Sequence, residues 1–382
     1  MKPMNLDAMR EATRLTREGR LSEAMALLQG AGPTPDGQAA PSHHGPTIDL
    51  TASAPPARKG DGMMSKDRLN DLASTLKTGL KGLNLGSLGG TQTPVPEIAP
   101  GASFAEFRHA DAAGSRSYRL YVPGRSKDGP RPLLVMLHGC TQSPDDFAVG
   151  TGMNALAERH GLIVAYPAQD RGANTNGCWN WFQPADQRRG SGELAILAGI
   201  VAEICEAQSV DRARIFVAGL SAGGATAALL AAEYPEVFAA AGVHSGLPAG
   251  AASDMPSAFS AMRQGGAPVT ADRIRVPTIV FHGDRDATVH STNGDRIVTQ
   301  AGGTKASSVE VRNGRSDGGV GFERSVYRDD AGRSFCEQWI LHGAGHAWSG
   351  GSAAGTYTDP AGPDASAEMV RFFFAVGDSA SA

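Results

Sequence analysis

The stretch RIFVAGLSAGGATAALLAAE, residues 214–233, changes character halfway along. Ile215–Ala218 is a short apolar run closed by Gly219, the pattern of a strand covered on both faces. From Ala222 to Glu233 alanine and leucine dominate, which favours a helix. Between the two lies Gly219-Leu220-Ser221-Ala222-Gly223, a Gly-x-Ser-x-Gly string in a strand–turn–helix setting. The turn has to be sharp for the serine hydroxyl to project, and strand and helix then approach so closely that only small residues fit around it. Ala222, Gly223, Gly224 and Ala225 are all small. The following helix also points its N-terminus at the serine, which favours negative charge there.

Similar runs recur on both sides. Tyr118–Val122, Leu133–Leu137, Leu162–Tyr166, Thr278–Phe281 and Gln338–Leu341 read as strands. Asp146–His160, Gly192–Gln208 and Ala365–Val376 read, like Ala222–Glu233, as helices. Gly314–Gly321 lacks the strand-to-helix setting of a dinucleotide fingerprint and is read as a loop between strands. The alternation predicts an α/β fold with a mostly parallel central sheet flanked by helices, and sites in such sheets lie beyond the carboxyl ends of the strands.

Chemistry-bearing residues occur at those ends. A serine needs a positioned base and a carboxylate to orient it. After Ser221, the Thr278–Phe281 run delivers His282-Gly283-Asp284-Arg285-Asp286, and the Gln338–Leu341 run delivers His342-Gly343-Ala344-Gly345-His346. His346 is preferred as base, because His342 adjoins the strand and is expected to cap or pack it. Asp284 and Asp286 are not separated by these arguments; one should reach the imidazole while the other caps the turn or pairs with Arg285. The oxyanion hole needs two backbone donors. The amide of Ala222 follows the nucleophile, and the amide of Cys140 is chosen from the loop after Leu133–Leu137. Trp179, Trp181 and Trp348 are candidates for lining an apolar substrate cleft. Leu247–Ala267 is either a small lid or a long connection. No cofactor or metal is expected; the glycines between His342 and His346 argue against a metal-binding helix pair.

LHGCTQ (137–142), CWNWF (178–182), GLSAGG (219–224), HGDRDATV (282–289) and GAGHAWSGG (343–351) together resemble the poly(3-hydroxybutyrate) depolymerase family of esterases, which is related to the feruloyl and acetylxylan esterases. The resemblance covers about residues 110–375. It implies an α/β-hydrolase fold, a serine esterase acting on hydroxyalkanoate polyester or oligomers, and a triad of Ser221, Asp286 and His346, selecting Asp286 over Asp284 by analogy. It places the oxyanion loop at His138–Cys140. The alternatives are a feruloyl or acetylxylan type of carbohydrate esterase and, from another class, a non-catalytic granule- or partner-binding protein on the same fold.

Composition sets the outer limits. The chain has 382 residues, with 35 basic and 39 acidic side chains and a net charge of −4, which argues against a nucleic-acid partner. All 23 aromatic residues fall after position 100, Phe104 being the first. A segment without aromatics and rich in Gly, Pro and Ser offsets little of its chain entropy by burial. The expected organisation is a helical hairpin at 1–30, a linker at 31–100 carrying a short basic amphipathic helix at 64–85, and an esterase domain at 101–382. The 64–85 helix is a candidate contact with a polymer-granule surface. The opening residues are too charged for a secretory leader, so the default expectation is the cytoplasm, with the four cysteines (Cys140, Cys178, Cys205, Cys336) reduced. Secretion, as in many members of the resembled family, is the alternative.

Overall fold

The structure is a computed structural model that describes residues 95–124, 129–266 and 273–380. The expected hairpin at 1–30, most of the linker and the amphipathic helix at 64–85 lie outside the described residues.

A ten-stranded sheet organises the chain. Its strands are β1 (Ser103–Asp111), β2 (Gly114–Val122), β3 (Arg131–Leu137), β4 (Ile163–Pro167), β5 (Val210–Leu220), β6 (Ala240–His244), β7 (Thr278–Gly283), β8 (Ser308–Arg315), β9 (Gly321–Arg328) and β10 (Ser334–Leu341). They lie in the order β1-β2-β4-β3-β5-β6-β7-β10-β9-β8. The central run from β4 to β10 is parallel, while antiparallel strands finish both sides. This is the α/β-hydrolase architecture expected. Of the Gly314–Gly321 stretch read as a loop between strands, residues 316–320 form the β8–β9 connection, while Gly314 and Arg315 end β8 and Gly321 starts β9.

Helices cover both faces: α1 (Pro144–Thr151), α2 (Met153–His160), α3 (Gly192–Ala207), α4 (Ala222–Glu233), α5 (Met255–Gln264), α6 (Thr292–Gln300) and α7 (Ala365–Ala380). The uninterrupted run Leu133–Leu137 follows from this double cover. Leu133, Val135 and Leu137 join the core layer containing residues of α3 and α4; Leu134 and Met136 join the layer containing residues of α1, α2 and α7. All five are essentially inaccessible to solvent. Burying a side chain of this kind contributes about 1.5–3 kcal/mol.

The single helix expected over Asp146–His160 is two. Gly152 adopts φ +61° and caps α1 while starting α2. The Leu247–Ala267 stretch contains α5, opened by a capping box between Asp254 and Ser257. It is tied to α6 and to the loop leading into it: Asn293 Nδ2 donates to the Ala261 carbonyl at 2.9 Å, and the His290 amide to the Met262 carbonyl at 2.7 Å. Among the described residues no helix is long and apolar enough to cross a membrane.

Candidate active site

The turn between β5 and α4 has the geometry that its small residues allow. Ser221 is held at φ +58°, ψ −120°, a conformation disfavoured for a residue with a Cβ. A Cβ at Gly219 would strike the Gly223 carbonyl, and one at Gly223 would strike the carbonyl of Leu137 at the end of β3. The two glycines are therefore steric requirements of the turn. The Ser221 amide donates to the His244 carbonyl at 2.9 Å, which anchors the serine to the end of β6.

Two neighbouring strands supply the acid and the imidazole. Asp286 follows β7 and His346 follows β10, and these strands pair in parallel register. Asp286 Oδ1 accepts the amides of Thr288 and Val289 at 2.9 and 2.8 Å. Its Oδ2 accepts from His346 Nδ1 at 2.7 Å, with both side chains almost fully enclosed. Burial works to raise the Asp286 pKa, but the His346 hydrogen bond and charge and the Val289 amide outweigh it and hold the carboxyl below the usual range. The proton on Nδ1 leaves His346 Nε2 as the acceptor. Among the described contacts this pair is bonded, whereas no hydrogen bond joins the Ser221 hydroxyl to His346.

The second Asp–His pair is separate. Asp284 Oδ2 lies 3.1 Å from His342 Nδ1, and Asp284 Oδ1 accepts the Gly343 amide at 2.7 Å. His342, expected to cap or pack the strand, is about half exposed and binds Asp284 instead; among the described contacts Asp284 makes no ion pair with Arg285, although the Arg285 charge helps to lower the Asp284 pKa. Each carboxylate reaches an imidazole. Burial and a second amide donor distinguish Asp286.

In the loop after β3, the three amides have different fates. Gly139 N–H donates to Gln142 Oε1 at 2.9 Å and Thr141 N–H to the Asn176 carbonyl at 2.9 Å. The Cys140 amide between them has no acceptor among the described residues. Ala222, the first residue of α4, offers an amide that a helix leaves without an internal acceptor. Gln142 is held in turn by Asp146 Oδ2 and the Thr356 carbonyl, both at 3.0 Å.

Two expectations are corrected. Cys140 and Cys178 form a disulfide, so only Cys205 and Cys336 are free thiols. The three tryptophans belong to the core and present no open cleft wall. Trp179 is inaccessible and donates its indole N–H to the His138 carbonyl at 3.0 Å. Trp348 is 1 % exposed, donates to Ser366 Oγ at 3.0 Å and stacks on His244. Trp181 is 6 % exposed and packs edge-on against Phe182.

Sequence reasoning missed three supporting histidines. His138 donates from Nδ1 to the Gly139 carbonyl and accepts the Gln169 amide at Nε2, which makes it neutral. His282 donates from Nε2 to the Val289 carbonyl at 2.8 Å and lies 3.6 Å from Asp286. His244, stacked between Phe281 and Trp348, accepts the Ser349 amide at 3.1 Å. Burial, helped by the nearby His282 and His346, pushes its pKa down to about 3. Nothing in their spacing separates such residues from ordinary core histidines.

The description "Esterase PHB depolymerase" belongs to the family model that matches residues 116–307, a stretch that includes Ser221 and Asp286 and stops before His346. The chain is 36 % identical over 242 residues to poly(3-hydroxyalkanoate) depolymerase C of Paucimonas lemoignei, covering 60 % of this chain and 56 % of that one. It is 35 % identical over 142 residues to feruloyl esterase B of Neurospora crassa, covering 36 % and 47 %. The chain thus spans about half the length of these curated relatives. An acetyl xylan esterase structure from Aspergillus awamori superposes with a TM-score of 0.57 at 22 % identity, over 71 % of this chain and 99 % of that one, a likeness of fold. With the family model covering half its length, the chain belongs to the PHB depolymerase family of esterases.

Proposed function

We propose that the protein hydrolyses carboxylic esters through Ser221, His346 and Asp286, with hydroxyalkanoate polyester or its oligomers as substrate class. The observation that carries this reading is the buried 2.7 Å Asp286–His346 hydrogen bond, two strands from a serine held in a positive-φ elbow. Ser221 Oγ attacks the ester carbonyl carbon while His346 Nε2 takes its proton. The carbonyl electron pair moves to oxygen, where the Cys140 and Ala222 amides receive it. Collapse of this intermediate expels the alcohol with the proton from His346. Water, activated by His346, then releases the acid and regenerates Ser221. Asp286 keeps the Nδ1 proton in place and stabilises the imidazolium.

Replacing Ser221 by Ala should lower kcat on a soluble ester by about 10⁴ or more, with thermal melting nearly unchanged. An organophosphonate should label wild type at Ser221 and leave the variant unlabelled. Near-wild-type activity in Ser221→Ala overturns the assignment.

The likeness to feruloyl esterase B supports a second reading, a carbohydrate esterase. A panel of 3-hydroxybutyrate oligomers, amorphous polymer, methyl ferulate and acetylated xylan separates the two by relative kcat/KM. The Cys140–Cys178 bond supports an oxidising compartment, in keeping with secretion, because cytosolic thiols are kept reduced.

A further inference from the structure

His244 closes β6, and its main chain and its ring meet two different turns of the site. Its carbonyl accepts the Ser221 amide at 2.9 Å, which fixes the elbow. Its ring is inaccessible to solvent and stacks between Phe281 and Trp348, with centroids 5.7 and 5.1 Å away. Ring Nε2 accepts the Ser349 amide at 3.1 Å. Trp348 and Ser349 follow His346 by two and three residues, so the ring holds the segment that carries the base.

The direction of the Ser349 amide follows from its strand. Trp348–Ser349 and Thr358–Asp359 pair in parallel, and the Trp348 and Gly350 amides donate to the Tyr357 and Asp359 carbonyls at 2.7 and 2.8 Å. Alternate amides of a strand point to opposite sides, so the Ser349 amide faces away from that pairing. Ser349 is 1 % exposed, and a buried N–H has to find an acceptor. His244 supplies it. With Nε2 accepting, the ring proton sits on Nδ1, which donates to Ser245 Oγ at 3.2 Å. Ser245 is held at φ +48° and anchored through its amide to the Phe281 carbonyl at 2.8 Å. The ring is therefore fixed at both nitrogens and on both faces. Burial, with His282 and His346 nearby, keeps it neutral against the pull of Asp286, so the Nε2 lone pair stays available.

No described hydrogen bond joins the Ser221 hydroxyl to His346, so their alignment depends on what holds the two turns. Asp286 grips the His346 ring from the end of β7. His244 grips the chain just beyond His346 from the end of β6, the strand that also anchors the serine. We propose that His244 is a positioning residue for the Ser221–His346 pair. Its carbonyl on the Ser221 amide and its Nε2 on the Ser349 amide set the distance across which the proton passes. The inference rests on the esterase reading above.

Two substitutions separate the acceptor from the ring, and both leave the carbonyl on Ser221 in place. His244→Phe keeps an aromatic side chain in the stack and removes the acceptor. His244→Gln gives up the ring and keeps an acceptor near the position of Nε2. The full-length variants and wild type are compared for kcat and KM on a soluble ester, for the rate of labelling by an organophosphonate, and for melting. A misplacement of about 1 Å costs about 10²-fold in rate. His244→Phe should therefore lower kcat about 10- to 100-fold with KM changed by less than about threefold, and labelling should slow in parallel. His244→Gln should recover both rates to within about fivefold of wild type. A histidine serving only the fold would lower the melting temperature while kcat and labelling in folded His244→Phe stayed within about threefold of wild type, which overturns the proposal. Equal losses in His244→Gln and His244→Phe overturn it as well, because the acceptor is then not what matters. If His244→Phe does not fold, His244→Asn, whose amide stops short of Ser349, replaces it with the same expectations. Failure of both to fold makes the contact one of folding and ends the proposal. Wild type that neither hydrolyses esters nor takes up the organophosphonate overturns the esterase reading itself.

Discussion

Asp284 and Asp286 stand two residues apart and each meets an imidazole, yet their surroundings differ. Asp286 is enclosed, takes two backbone amides on one oxygen and His346 on the other. Asp284 is over a third exposed and bridges to His342 and Gly343. An exposed ion pair of that kind contributes about 0–1 kcal/mol. Replacing Asp286 by Asn would substitute an acceptor or a misplaced donor for the carboxylate and should cost about 10⁴ in kcat, as in other triads. Asp284→Asn should cost less than about tenfold, because the change is confined to the rim. Steady-state kinetics of the two variants on one soluble ester decides the matter. Equal losses would show that the two pairs act as one unit.

The elbow and the α1–α2 break show two uses of glycine at the level of elements. At Gly223 the constraint is contact, since a Cβ would run into the Leu137 backbone and neither β3 nor α4 can move without disturbing the sheet. At Gly152 nothing lies within 4 Å of an added Cβ, and the only obstacle is φ +61°. Gly152→Ala should then cost about 1–2 kcal/mol of stability and leave activity intact. Gly223→Ala should cost about 3 kcal/mol or more and remove activity, because the serine turn itself must shift. Urea unfolding with a soluble-ester assay distinguishes them. A Gly223→Ala protein as stable as Gly152→Ala would show that the contact is softer than its geometry indicates.

The molecule as a whole carries several histidines that folding keeps neutral. Burial lowers the pKa of His138, His244 and His282, the second to about 3. Unfolded histidine titrates near about 6.5. Between that pH and the folded values the unfolded chain binds protons that the folded chain does not, so stability falls as pH drops below about 6.5. Each such group contributes a slope of up to about 1.4 kcal/mol per pH unit. Urea midpoints measured from pH 7 to pH 4 should decline on this account, and a His244→Gln variant that folds should show a shallower decline. An unchanged slope would assign the acid sensitivity to other groups. The first described residues also belong to the folded body, since Pro96 is buried and the Ala102 amide donates to Ala99. A chain beginning at Val95 should keep its kcat on soluble esters, while any loss of binding to polymer granules would fall to residues 1–94. Loss of soluble-ester activity in a folded truncation would move the functional boundary toward the N-terminus.

Local sequence determined the parts whose physics is local. Runs such as Leu133–Leu137 read as strands because helices cover both faces, and the Gly-x-Ser-x-Gly turn reads as an elbow because only small residues fit it. β1 and β8, at the margins of the sheet and largely exposed, and β6, the short Ala240–His244 segment containing Gly242, carried no comparable apolar signal. The Asp286–His346 and Asp284–His342 pairings span about sixty residues, and only the adjacency of β7 and β10 brings them together. The same holds for Cys140 and Cys178, whose union depends on two loops meeting, and for the tryptophans, whose exposure is settled by what packs around them. Residue type and spacing supply the chemical groups; which group faces which, and which is shut away from water, depends on contacts distant in the chain.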